Sequence, residues 1–367
     1  MKKILILANN DIGLYNFRKE LLETLVSLKY KVYISLPNGN KISELINLGC
    51  EFIETDVNRR GKNPLKDLKL LKKYKKIMSE IRPDCVLTYT IKPNVYGGMV
   101  AASLKIPYIA NITGLGTALE NPGPLQKITK LLYKKGLKKA SCVFFQNAEN
   151  KAFFEENKIG KFKKRLIPGS GVNLEKHSVC EYLNEDIIKF LFIGRIMKSK
   201  GIDELIEAIK KVKEKYNNAT FDFLGGTENE EYLKLMKSEQ NNGILKYHGV
   251  VNNVHEWIAE SHCTILPSYH EGTANVLLES AAAARPVITT NVAGCKEIVE
   301  DGVTGFLCEV RNSQDLAEKI EKFINLSYEE KKQMGLLGRK KVEKEYDRNI
   351  VINAYMEEIK SIDMESV

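Results

Sequence analysis

Several absences narrow this chain first. The seven cysteines among its 367 residues, at 50, 85, 142, 180, 263, 295 and 308, are odd in number and form no CxxC pair. A disulfide frame needs pairs and a structural zinc site needs close spacing, so the pattern speaks against both and for reduced, buried thiols. The five histidines (177, 248, 255, 262 and 270) show no metal-ligand spacing either. His255 and His262 are read as lying on an ordinary helix face, and neither a metal site nor a cofactor is expected. No run approaches the ~18 apolar residues that span a bilayer. The apolar stretch Ile4–Ala8 behind Met1-Lys2-Lys3 is a strand, too short for a secretory core, so a cytoplasmic protein is expected. Internal repeats and low-complexity segments are absent as well.

What is present is a globular composition, 43% hydrophobic, in a chain long enough for two cores. Charge is divided unevenly: residues 1–180 hold 32 Lys+Arg against 15 Asp+Glu, and residues 181–367 hold 24 against 32. A basic half joined to an acidic half implies two domains with different surroundings. The basic residues cluster at Arg59-Arg60-Gly61-Lys62, Lys66 to Lys76, Lys134-Lys135, Lys138-Lys139 and Lys161 to Arg165. Three readings suit such clusters: anionic lipid, nucleic acid, or nothing beyond solvent. The lysines are not interleaved with stacking aromatics and no recognition motif appears, so nucleic acid is not expected.

Short β-branched runs alternate with amphipathic segments. Strands are expected at Ile4–Ala8, Lys31–Leu36, Cys85–Thr88, Tyr108–Ile109 and Cys142–Phe145, and a helix at Phe17–Leu28. After a looser region at 169–186 the alternation restarts with Ile187–Ile193, Thr220–Leu224, Thr264–Leu266 and Pro286–Thr290. Apolar strands alternating with helices give parallel sheets covered on both faces. The fold class is therefore α/β, with two doubly wound Rossmann-like domains facing each other across a cleft. Their expected extents are 1–175 and 176–347. A last helix within 348–367 could pack with either domain, including back on the first.

Glu271 and Glu279 lie eight residues apart, one in a loop with Gly272 and the other in the helix that loop opens near Thr273. Such acids are common on surfaces, but free helix N–H groups favour a phosphate and the acids could hold sugar hydroxyls beside it. Arg195 and Lys200, after Gly194, sit where a strand gives way to a helix, the usual place for an anion in an open sheet. Gly13, between the first strand and first helix, could bring backbone near a ligand, and Arg18 could meet a phosphate there. Gly114-Leu115-Gly116 is no dinucleotide fingerprint, because Leu119 replaces the expected glycine and no strand ends squarely before it.

Glu271–Glu279 resembles the E-x7-E signature of family 4 retaining glycosyltransferases, which have the GT-B fold. Gly194-Arg195 with Lys200-Gly201, Gly225-Gly226, His248-Gly249, Leu266-Pro267-Ser268 and Asp301 to Phe306 match that family too. Thr90-Ile91-Lys92-Pro93-Asn94 and Asn111 to Gly116 resemble the branch that assembles capsule, O-antigen and lipid-linked oligosaccharides. The resemblance implies metal-independent sugar transfer from a UDP-sugar with retention. It makes Glu271, Arg195 and Lys200 catalytic. It assigns the donor to Gly13, Gly114, Gly194, Gly225, Val250, Gly272, Thr273, Ala274, Asn275 and Glu279, with the amides of 272–275 at the phosphates. It leaves Asn16, Arg18 and Lys92 for a polyprenyl-diphosphate-linked acceptor. Thr113-Gly114 stands where many relatives have a histidine, and Ala284 replaces a glycine, a change expected to be neutral. The lysine-bearing segments Pro64–Lys76 and Leu125–Leu137 are read as amphipathic helices lying on an anionic membrane, which would place the protein peripherally on the inner face of the cell membrane. A UDP-sugar epimerase and a transferase with a soluble acceptor are the alternatives, and a basic nucleic-acid-binding protein is a distant one.

Overall fold

A computed structural model of the chain describes residues 1–58, 63–116, 119, 123–184 and 186–365. It divides into two compact units, Met1–Ser170 with Asn349–Val367, and Gly171–Arg348. The first division falls near the start of the looser stretch at 169–186, and the second lies inside the last helix.

The first unit contains β1 (Lys3–Leu7), α1 (Asp11–Ser27), β2 (Lys31–Leu36), α2 (Ile42–Asn47), β3 (Glu51–Glu54), α3 (Pro64–Ile81), β4 (Cys85–Tyr89), α4 (Gly98–Ser103), β5 (Tyr108–Ile112), α5 (Pro124–Gly136), β6 (Cys142–Phe145), α6 (Ala148–Glu156) and β7 (Lys163–Leu166). Among the described residues its sheet runs β3-β2-β1-β4-β5-β6-β7, and every pairing is parallel. Side chains alternate along each strand, so both faces are apolar: Ile4 and Ile6 join one core and Leu5 and Leu7 the other.

The second unit contains β8 (Ile188–Ile193), α7 (Ile202–Lys213), β9 (Ala219–Leu224), α8 (Glu230–Asn241), β10 (Lys246–Gly249), α9 (Val254–Ala259), β11 (Cys263–Leu266), α10 (Asn275–Ala282), β12 (Val287–Thr290), β13 (Gly305–Cys308), α11 (Ser313–Ile324) and α12 (Tyr328–Glu345). Its parallel sheet runs β10-β9-β8-β11-β12-β13. Phe190 and Phe192 stack on Phe221 and Phe223 of the neighbouring strand, with ring centroids 5.0 and 5.2 Å apart.

The final helix, α13 (Arg348–Glu365), packs on the first unit. Val351, Ile352, Tyr355, Met356, Ile359 and Ile362 enter the same core as Ile4 and Ile6. Each large apolar side chain buried this way contributes about 1.5–3 kcal/mol before ordering costs. Glu357 and Glu358 of α13 pair with Arg165, and Glu358 also with Lys163. The basic cluster Lys161 to Arg165 is therefore an edge strand partly neutralised by α13. The cluster Arg59 to Lys62 lies outside the described residues.

Two local readings change. His262 is buried in the turn before β11, with Nδ1 accepting from the Lys189 N–H at 3.1 Å, and only His255 lies on a helix. Ala284 is left-handed, with φ +56°. It ends α10 just before Arg285, whose fully buried guanidinium donates to the carbonyls of Cys180, Glu181 and Ala259. A left-handed L-residue costs about 1–2 kcal/mol and a glycine far less, so the alanine is not neutral. Glycine also adds about 0.4–1 kcal/mol of unfolded-chain entropy. Ala284→Gly should therefore stabilise the chain by about 0.5–1 kcal/mol net, read as a rise in Tm of a few degrees.

Candidate active site

In a doubly wound sheet the ligand crevice lies at the carboxyl ends of the two strands from which the chain departs to opposite sides. In the second unit those neighbours are β8 and β11. The loop after β8 carries Gly194 and Arg195 and then a single helical turn, Lys198–Lys200. The loop after β11 carries Pro267 to Ala274 and opens α10.

The two loops are stitched together. Gly201 has φ +69°, and a Cβ there would lie 2.1 Å from the carbonyl oxygen of Pro267, so only glycine permits the approach. The Tyr269 N–H donates to the Ser199 carbonyl at 2.9 Å. This brings two sequence-predicted residues into contact: Lys200 Nζ donates to Glu271 Oε1. Ser268 Oγ donates to the same oxygen at 2.7 Å. The lysine and glutamate side chains keep 17% and 15% exposure, enough for a ligand to reach them. Arg195 is exposed just beyond β8, with no ion pair among the described residues. The Gly194 N–H is committed to the Leu224 carbonyl at 3.0 Å.

The loop before α10 is more committed than its sequence implies. The Glu271 N–H donates to Ala293 O at 3.2 Å and the Ala274 N–H to Gly294 O at 2.8 Å. Gly294 has φ +81°, and a Cβ there would lie 2.5 Å from Glu271 O. The amide of Ala274 is thus unavailable to a phosphate, which corrects the expectation that the 272–275 amides act together. Thr273 Oγ1 donates to Gly272 O at 3.0 Å. The helix begins at Asn275 rather than Thr273, and the Asn275 side-chain oxygen is buried without a partner.

Glu279 lies in the second turn of α10, partly buried, its carboxyl with no hydrogen bond or ion pair among the described residues. Desolvation pushes its carboxyl up to about 7, against the pull of Lys176 and Arg348. Toward the sheet edge, the Gly225 N–H donates to Gly249 O at 2.7 Å. Val250, directly after β10, is 78% exposed. Among the described residues, no three His, Cys, Asp or Glu side chains converge.

The residues expected in the first unit fare differently. Gly13 is inside α1 rather than before it, and its N–H is taken by the Asn10 side chain at 2.6 Å. Asn16 is exposed on the same helix. Arg18 is buried, donating to Phe17 O at 2.6 Å with its guanidinium 5.0 Å from the Tyr89 ring centroid. It faces the strand side of α1, so it packs inside the unit and does not act as a surface cation. Lys92 pairs with Asp67 at 2.5 Å, and the Tyr96 hydroxyl donates to the other Asp67 oxygen at 2.8 Å. Gly114, with φ +151°, follows β5 by two residues, so a strand does end before it.

Sequence reasoning gave no role to Ser268 or Gly294. Ser268 stood inside the matched Leu266-Pro267-Ser268 segment, and a hydroxyl three residues before an acid was the available signal. Nothing local marked Gly294, whose partner loop is distant in sequence.

Two family models match the chain: Glycosyl transferases group 1 over residues 176–341 and Glycosyl transferase 4-like over residues 3–147. An uncharacterized glycosyltransferase of Methanocaldococcus jannaschii is 32% identical, over 70% of this chain and 67% of its own. The N,N'-diacetylbacillosaminyl-diphospho-undecaprenol alpha-1,3-N-acetylgalactosaminyltransferase of Campylobacter jejuni is 26% identical, over 96% of this chain and 97% of its own. The Anabaena protein HepE, solved in complex with UDP and glucose, superposes with a TM-score of 0.79 at 17% identity, covering 98% of this chain and all of its own. With two parallel sheets, both models matched and the Lys200–Glu271 contact at the second sheet's switch point, the chain belongs to the glycosyltransferases and has the GT-B fold.

Proposed function

We propose that this glycosyltransferase moves a hexose or N-acetylhexosamine from a UDP-sugar to a polyprenyl-diphosphate-linked sugar, with retention at the anomeric carbon, in bacterial surface polysaccharide or glycan assembly. The observation that carries the reading is the Lys200–Glu271–Ser268 cluster at the carboxyl ends of β8 and β11. The lipid-linked acceptor named for the Campylobacter jejuni relative and the UDP in the Anabaena structure support the acceptor class and the nucleotide.

As the donor C1–O bond breaks, its electron pair passes to the diphosphate. Lys200 and Arg195 place fixed positive charge where that negative charge develops, and prepositioned donors of this kind need no reorganisation during the reaction. The acceptor hydroxyl bonds to C1 on the same face, and its proton passes to the departing phosphate oxygen. Glu271 orients the sugar, and Glu279 accepts from ribose hydroxyls. No metal takes part in this scheme.

The test is mass spectrometry of the enzyme with pooled UDP-sugars and a polyprenyl-diphosphate monosaccharide, beside acceptor-free and Glu271→Ala controls. A mass gain on the lipid that vanishes in both controls is expected. Conversion of UDP-sugar without acceptor would instead identify an epimerase.

The acceptor class implies a membrane, and no helix among the described residues is long and apolar enough to cross one. Helix α5 exposes Leu125, Ile128 and Leu131 at 38%, 56% and 55%, with Lys127, Lys130, Lys134 and Lys135 beside them. Helix α3 exposes Leu65 and Leu68 among its lysines. Apolar side chains rimmed by cations suit an anionic lipid surface, where each lysine contributes about 1 kcal/mol. Replacing Leu125, Ile128 and Leu131 together by serine should abolish most co-sedimentation with anionic liposomes while Tm is kept. Equal partitioning of wild type onto neutral and anionic liposomes would refute the electrostatic part.

A further inference from the structure

Each of the two sheets has its own switch point. In the second unit it is filled by the Lys200–Glu271 cluster; in the first unit it lies at the carboxyl ends of β1 and β4, which are paired neighbours. The residue directly after β4 is Thr90, and its backbone is left-handed, with φ +71°. Among the described residues, five of the six other left-handed non-glycines, at 29, 82, 105, 158 and 284, terminate a helix, where that conformation is ordinary, and the sixth, Arg311, lies in the turn between β13 and α11. Thr90 terminates a strand and is β-branched, the side-chain type least compatible with positive φ.

The hydroxyl is unsatisfied as well. Thr90 is partly exposed, yet its Oγ1 is covered and has no hydrogen-bond partner. Leaving such a group unpaired costs about 1–3 kcal/mol. The surrounding turn holds both features in place. The Asn94 N–H donates to Thr90 O at 3.0 Å. Asn94, fully buried, accepts from Thr88 Oγ1 at 2.7 Å and donates to Asn111 O at 2.9 Å. A π-turn at Pro93–Gly97 follows, and its Tyr96 shares Asp67 with Lys92. Lys92 is thereby engaged with α3. A strained, unsatisfied residue held by an over-determined scaffold at a ligand crevice indicates a function for the residue.

We propose that Thr90 binds the acceptor, its side chain turning about χ1 to bring the hydroxyl, covered in the free protein, onto an oxygen of the acceptor sugar. This rests on the function proposed above, in which the second unit's switch point takes the donor. The test is steady-state kinetics with a UDP-sugar donor and a polyprenyl-diphosphate monosaccharide, together with thermal melts, on Thr90→Val, Thr90→Ser and Thr90→Gly. Thr90→Val keeps shape and removes the hydroxyl, so the acceptor KM should rise on the order of tenfold while donor KM holds and Tm does not fall, the unpaired hydroxyl being gone. Thr90→Ser should stay within about threefold of wild type, because it keeps the hydroxyl. Thr90→Gly should show the acceptor defect of the valine variant with a Tm raised by a few degrees, since glycine accepts the backbone without strain. An unchanged acceptor KM in Thr90→Val, a donor KM that rises instead, or a Tm that falls in Thr90→Gly would overturn the assignment. If wild type transfers no sugar to this acceptor, the proposed function fails; if wild type and Thr90→Val transfer equally, only this inference does.

Discussion

Lys200→Met is expected to lower the transfer rate by a factor on the order of 10²–10³, the usual loss when one prepositioned donor to a developing charge is removed. The ammonium is held by Glu271 Oε1, which also receives the Ser268 hydroxyl, so methionine removes charge and leaves a partly buried carboxylate with one fewer donor. That residual carboxylate should cost about 1–2 kcal/mol of stability, well below the penalty for a fully buried ion, because both side chains retain some exposure. A small fall in Tm beside a large fall in kcat therefore separates chemistry from folding. Because the pair acts as a unit, Lys200→Met with Glu271→Gln should lose little more activity than Lys200→Met alone. A Lys200→Met enzyme within threefold of wild type would remove Lys200 from the mechanism.

Glu279→Gln should make the protein more stable above neutral pH while weakening the donor. An unfolded glutamate titrates near 4.5, and burial raises this one to about 7. Between those values the folded state retains a proton that the unfolded state has released. The stability this provides is complete below 4.5 and is lost as pH rises through 7. At pH 8 the ionised carboxylate then opposes folding by roughly 1–3 kcal/mol, and glutamine removes that term. Melts from pH 4 to 9 should show wild type losing ground to Glu279→Gln only above about pH 5, and no divergence would mean the carboxyl is better solvated than its position implies. A ribose hydroxyl pairs best with the ionised form, so wild-type donor KM should rise as pH falls below about 7 and the glutamine variant should lack that dependence.

The interior strands β1, β2, β4, β5, β6, β8, β9, β11 and β12 are legible because burial on both faces demands continuous apolar runs. The strands missing from the sequence reading, β3, β7, β10 and β13, are the sheet edges. An edge strand has one neighbour and can be as polar as Glu51–Glu54 or Lys163–Leu166, which carry no apolar period. The same limit applies to the site. Glu271, Lys200 and Arg195 are visible because strand ends and helix starts can be read locally. The commitment of the Ala274 amide to Gly294, the burial of Arg18 and the left-handed backbone of Thr90 depend on segments distant in sequence or on dihedral angles that composition does not encode.

The placement of α13 in the first unit has a consequence for how the chain is made. Residues 1–170 leave the ribosome first, and α1 and α2 cover part of the apolar face that holds Ile4 and Ile6, but the part that α13 covers stays open until residues 349–365 arrive. At about 5–20 residues per second that delay is roughly 10–40 s, during which the second unit is synthesised in full. The half of the molecule translated first is thus completed last, with part of its core open to solvent in the interval.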